Sequence, residues 1–114
     1  MFHNEKIISL LEGARNKIKH PRTWTRYALA RDDYGNRLSS PTDENAVSWC
    51  AAGALEFVHA NSPFWKSTDI IDEAYRLLKK TIDAPTVAHF NDYSTHSEVI
   101  QMFDKVIETL KNNG

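Results

Sequence analysis

Residues Ala46–Phe57 read AVSWCAAGALEF, and the conformation of this stretch decides the architecture of the chain. Ala46, Val47, Cys50, Ala51, Ala54, Phe57 and Val58 follow the three-and-four spacing of one helix face. Almost no polar side chain falls between Trp49 and Leu55, so the helix is expected to be buried on most of its circumference. Gly53 costs a helix up to about 1 kcal/mol relative to alanine, a cost that makes sense where a neighbour packs against the bare backbone. On this reading Cys50 is a mid-helix residue on the apolar face.

Just upstream, Pro41-Thr42-Asp43-Glu44 supplies side-chain oxygens and negative charge, which suit the free amides of a helix start. The helix is therefore predicted to open there and to end near Asn61, before Pro63. Further upstream, Tyr27, Leu29 and Arg31 alternate with Ala28, Ala30 and Asp32, then Gly35 and Arg37-Leu38 follow. This pattern predicts a β-hairpin near 25–39 with Gly35 in the left-handed conformation. An isolated hairpin is barely stable, so it is expected to lie on the helices through Trp24, Leu29 and Leu38. Before it, Asn4 is the expected cap of a first helix carrying the stripe Ile7, Leu10, Leu11, Ala14 and Ile18. Pro21 ends that helix.

Downstream, a helix is predicted from Ser67–Asp69, with Ile70, Ile71, Ala74, Leu77 and Leu78 on one face, stopping before Pro85. Thr86–Phe90 fits either a short helical turn or an extended segment. Thr95 and Glu98 form a T-x-x-E capping box. Val99, Met102, Phe103, Val106, Ile107 and Leu110 then mark a last helix, with Lys111–Gly114 frayed. The sum is a mainly α chain: a compact bundle of about four helices with one small β-hairpin, forming one domain over 1–114.

Composition narrows the functional classes. A chain of 114 residues can bury one core without metal or disulfide help. Its net charge of −1 offers no long-range field for nucleic acid or an anionic membrane. One cysteine excludes an intramolecular disulfide and a multi-cysteine zinc site. No run is long and apolar enough to span a bilayer, and the N-terminus lacks the layout of a secretion signal. The expected location is the cytoplasm, and nothing in the sequence calls for a cofactor or a metal.

Chemistry has few places to sit. Cys50 with a histidine base (His59, His89 or His96) and Asp92 would make a thiolate nucleophile. A cysteine on an apolar helix face is instead expected to be a buried, inert side chain. His59 lies nine residues from Cys50, about 13 Å of helical rise, and is too far to help. His96 falls in the first turn of the last helix, where the dipole favours a neutral imidazole. Asn91-Asp92, flanked by Phe90 and Tyr93, reads as a loop pair that either contacts a ligand or satisfies loop amides. Asp32-Asp33-x-Gly35-Asn36 lacks the ligand set of a calcium loop and reads as the hairpin turn. Phe64-Trp65, after Ser62-Pro63, is the expected exposed aromatic pair and a candidate contact surface.

The pieces Trp24-Thr25, Ala28-Leu29-Ala30-Arg31-Asp32 and Gly35, Trp49-Cys50 with Gly53-Ala54-Leu55, and Asn91-Asp92 with Thr95 and Glu98-Val99 resemble those of a family of small bacterial and phage proteins. That family is the domain of unknown function DUF6197. The resemblance runs from Trp24 to Ile107. It departs at Phe90, where the family pattern has tryptophan. It implies a shared fold and no particular activity. Two functional classes follow. One is an interaction module, encoded by a phage or mobile element, that binds a protein partner or a second copy through Phe64 and Trp65. The other is a small-ligand binder or Cys/Asp-dependent hydrolase. Its pocket would gather Trp24, Thr25, Arg26, Cys50, Asn91, Asp92 and His96.

Overall fold

The computed structural model describes residues 2–113, with side chains from Asn4 onward. The described residues form five α-helices and a three-stranded antiparallel sheet: α1 Phe2–Lys17, β1 Ala30–Arg31, β2 Arg37–Leu38, β3 Ser48–Trp49, α2 Ala51–Ala60, α3 Thr68–Lys80, α4 Val87–Tyr93 and α5 His96–Asn113. The strand order is β2-β1-β3, so the expected hairpin is there with one strand added to it. Mainly helical architecture with a little sheet is what the sequence patterns predict.

The helices follow their apolar spacing. Ile7, Leu10, Leu11, Ala14 and Ile18 are all buried, and α1 packs on α2, α3 and α5. Asn4 lies inside α1 instead of capping it, because the helix already begins at Phe2. The Thr95/Glu98 box is formed on α5. The Thr95 amide donates to Glu98 Oε1 at 2.8 Å, and the Glu98 amide donates to Thr95 Oγ1 at 3.1 Å. The six predicted apolar residues of α5 are buried. Lys111 is helical and pairs with Glu12 of α1 at 2.7 Å, so the expected fraying at this end is not found among the described residues.

The opening stretch holds the main correction. Residues 41–47 form turns, 48–49 form β3, and α2 starts only at Ala51. The polar side chains that suggested a helix start serve their own backbone. Ser40 Oγ accepts from the Thr42 amide at 3.2 Å, and Asp43 Oδ1 accepts from the Asn45 amide at 2.8 Å. Such local bonds favour turns over helix. Val47 and Cys50 then donate to the Arg31 and Leu29 carbonyls, at 2.9 and 3.3 Å, completing the ladder on β1. From Ala51 to Leu55 every residue of α2 is buried, as its composition requires. Cys50 is its N-cap, not a mid-helix residue.

The sheet rests on the core through Trp24 and Leu38. Leu29 contributes through its backbone instead: its carbonyl lies directly over Gly53. Gly35 has φ +81°, as the hairpin turn demands. The segment left open at 86–90 is helical. Thr86 Oγ1 caps α4 by accepting from the His89 amide at 3.0 Å. Asn91 and Asp92 are therefore helix residues, not loop residues. Val87 and Asn91, one turn apart, both point inward.

Candidate functional site

Asn91 is 0% exposed and joins three parts of the chain. Its Oδ1 accepts from Trp24 Nε1 at 2.7 Å and from the Ala51 amide at 3.0 Å. Its Nδ2 donates to the Thr25 carbonyl at 3.0 Å and to Asp92 Oδ1 at 3.2 Å. Two acceptances and two donations are the full capacity of a carboxamide, so no valence is left for a ligand. Asp92 Oδ1 also accepts from the Tyr27 amide at 2.9 Å. Arg31 closes the same segment from the other side, donating to Thr25 Oγ1 at 2.9 Å and to the Arg26 carbonyl at 3.0 Å.

The neighbouring candidates are part of this scaffold. His96 Nε2 bonds to the Ile18 carbonyl at 2.7 Å, and its ring lies 5.3 Å from the Trp24 ring. Arg26 lies over the Trp24 ring, 4.7 Å from its centroid, and donates to the Ser94 carbonyl. Its Nε is buried without a partner among the described residues. Trp24, Thr25, Arg26, Asn91 and His96 do converge, but most of their polar groups are spent on one another or on nearby carbonyls.

Cys50 and Asp92 differ. They line a cleft of about 350 Å³ together with Tyr27, Leu29, Arg37 and Ala88. The Cys50 sulfur accepts from the Gly53 amide at 3.3 Å, an N-cap contact made by a thiol. Burial pushes the thiol pKa up. The Gly53 and Ala52 amides oppose that rise, while the negative charges of Asp92 and Glu56 add to it. The thiol is therefore protonated at neutral pH and is a poor nucleophile. No histidine among the described residues is bonded to it. His59 Nε2 bonds to the Ser67 carbonyl at 2.8 Å, and the His89 ring stacks on Tyr93 at 4.7 Å.

A direct consequence is chemical protection. A thiol reagent at pH 8 is expected to modify Cys50 slowly in the native protein, and promptly once urea unfolds it. Equal rates in both states would show that the sulfur is open to solvent and ionisable.

Several residues around the cleft gave no signal in the sequence. Tyr27 has φ +64°, a region that costs a non-glycine residue about 1–3 kcal/mol, and the residue is 52% exposed. It meets Tyr93, itself 72% exposed, with ring centroids 6.0 Å apart. Elsewhere on α2, Glu56 Oε2 and the Ala52 carbonyl face the Tyr75 hydroxyl, which donates toward them at 3.1 and 3.2 Å. Burial, with Glu56 nearby, raises its pKa far above that of a free phenol. The expected aromatic pair is split: Phe64 packs on the core and against His59, whereas Trp65 is exposed.

Fold and site together define a small helical protein with a polar keystone and a shallow, mixed-polarity cleft beside it. The chain belongs to a family of unknown function, DUF6197, whose family model matches residues 3–109. No curated protein and no solved structure matches it.

Proposed function

We propose that the protein is a non-enzymatic interaction module that binds a protein partner, or a second copy of itself, through the face formed by α4 and residues 26–29. The observation that carries this reading is Tyr27. A tyrosine held at positive φ by Asp92, with its ring turned to solvent beside Tyr93, stores strain without improving the core. Such strain is understandable where the exposed ring has a use. Tyrosine is also enriched among residues that anchor protein interfaces. This face replaces Phe64-Trp65 as the preferred surface, because Phe64 faces the core.

The near-neutral charge argues against nucleic acid as the partner. No helix among the described residues is long and apolar enough to cross a membrane. A cytoplasmic, phage-linked or mobile-element role fits the size and composition and belongs to this same proposal. A second reading, small-ligand binding, is favoured by one observation: Cys50 and Asp92 line a common cleft. A thiol hydrolase is disfavoured, because the Cys50 sulfur is protonated and has no base beside it.

The test is site-specific photo-cross-linking in the native host. A cross-linking aromatic residue at position 93 is expected to trap one defined adduct, either a dimer or a single partner. The same group at position 109, on the exposed side of α5, is expected to trap none. Equal yields at 93 and 109 would remove the α4 face as a contact surface.

A further inference from the structure

Resting on the reading of the α4 face as a contact surface, we propose that the cleft within it receives a lysine or arginine side chain of a protein partner. Asp92 would serve as counter-ion and the Tyr27 ring as a cation–π wall.

The charges of the cleft support a cation. Asp92 is held rigidly, because its Oδ1 accepts from both the Tyr27 amide and Asn91 Nδ2. Its Oδ2 has no hydrogen-bond or ion-pair partner among the described residues, leaving one carboxylate oxygen for a ligand. An anion would meet only the exposed Arg37 at the rim. The start of α2 reaches this region, but the Ala51 amide is taken by Asn91 Oδ1 and the Gly53 amide by the Cys50 sulfur. Two of the amides of the helix terminus that would ordinarily attract a phosphate or carboxylate are thus already bonded.

Shape agrees with charge. A volume of about 350 Å³ is near the lower end of ligand pockets and suits one long side chain. Leu29, Ala88 and the neutral Cys50 thiol offer apolar contact to the methylene stem of such a side chain, while its charged end reaches Asp92. Tyr27 adds an aromatic ring, whose face attracts cations.

Arg37 is the opposing feature. It also lines the cleft, and it makes no ion pair with Asp92 among the described residues. The residue is exposed, and a long guanidinium side chain at the rim turns into water at little cost. It would weaken a cationic ligand without blocking it.

The experiment follows backbone-amide NMR shifts of the isotope-labelled protein on addition of hexalysine, with hexaglutamate as the opposite-charge probe. Hexalysine is expected to shift Tyr27, Ala88 and Asp92 saturably, and hexaglutamate is expected to leave them unmoved. Asp92→Asn keeps an acceptor for the Tyr27 amide and removes the charge. It is expected to weaken hexalysine binding about tenfold. Tyr27→Gly suits the positive φ, so the fold survives while the ring is lost. It is expected to weaken binding several-fold. Arg37→Ala is expected to tighten it.

Three outcomes overturn the proposal: hexaglutamate moving the same amides, hexalysine binding Asp92→Asn as well as the native protein, or no shift with either probe. If hexalysine fails while position 93 still cross-links a partner, the contact surface stands and only the cationic ligand falls.

Discussion

Gly53→Ala is expected to destabilise the protein by about 3 kcal/mol, although intrinsic helix propensity alone would favour alanine by about 1 kcal/mol. The sign is decided by the neighbour. A Cβ built at Gly53 would lie 1.9 Å from the Leu29 carbonyl oxygen and 2.8 Å from its carbon. That oxygen is backbone, and it already accepts from the Cys50 amide at 3.3 Å. It cannot rotate away as a side chain would, so either α2 or β1 must move. Gly13 gives the contrast within one fold. Its added methyl would meet a Val58 methyl at 2.8 Å, the end of a side chain that can shift. Urea unfolding of the two variants is the measurement. A Gly53→Ala midpoint equal to or above that of the native protein would show that α2 does not lie against β1 this closely.

Asn91→Ala is expected to cost about 3–4 kcal/mol, because one truncation leaves several buried groups unmatched. Trp24 Nε1, the Ala51 amide and the Thr25 carbonyl would all lose their partner. Each unsatisfied buried group costs about 1–3 kcal/mol, and water entering the space left behind recovers part of the sum. Asn91→Asp separates hydrogen bonding from volume. The new carboxylate keeps both acceptances, loses both donations, and faces the Thr25 carbonyl and Asp92 Oδ1.

Its charge dependence has a definite sign. Burial, the adjacent acid and the facing Thr25 carbonyl raise the folded pKa of that carboxyl above its unfolded value of about 3.9, against the lowering effect of the Trp24 and Ala51 N–H donors. A raised acid binds more protons folded than unfolded, so stability falls as pH rises from about 4 upward. The gap between Asn91→Asp and the native protein is therefore expected to widen from pH 4 to pH 7. A gap that is flat across this range would mean that residue 91 is not enclosed as described.

The helices were legible because each carries its own evidence. The stripe of α1 and the capping box and stripe of α5 name the buried face and, for α5, the starting residue. The boundary before α2 was not legible from local rules. Thr42, Asp43 and Glu44 are good helix starters by composition, yet Asp43 and Ser40 spend their oxygens on turns. What settles the matter is that Val47 and Cys50 pair with β1, a partner some twenty residues away that no local window contains. Asn91 shows the same limit at the candidate site. Asn91 and Asp92 stood out as a pair, and the choice between ligand contact and backbone satisfaction was open. Three of the four bonds that decide it for Asn91 reach Trp24, Thr25 and Ala51, distant in sequence. Tyr27 carried no mark at all, since positive φ in a tyrosine is imposed by its surroundings and not by its own preference.

The three strands are two residues long each. A ribbon of that size has no stability of its own and forms only where helices already present a surface for it. Its pairing therefore depends on the helices more than they depend on it. The placement of Tyr27 and Arg37, which stand on or beside that ribbon, depends on the helices beneath it. A variant with loosened helix packing is therefore expected to lose the placement of Tyr27 and Arg37 before it loses its helical content.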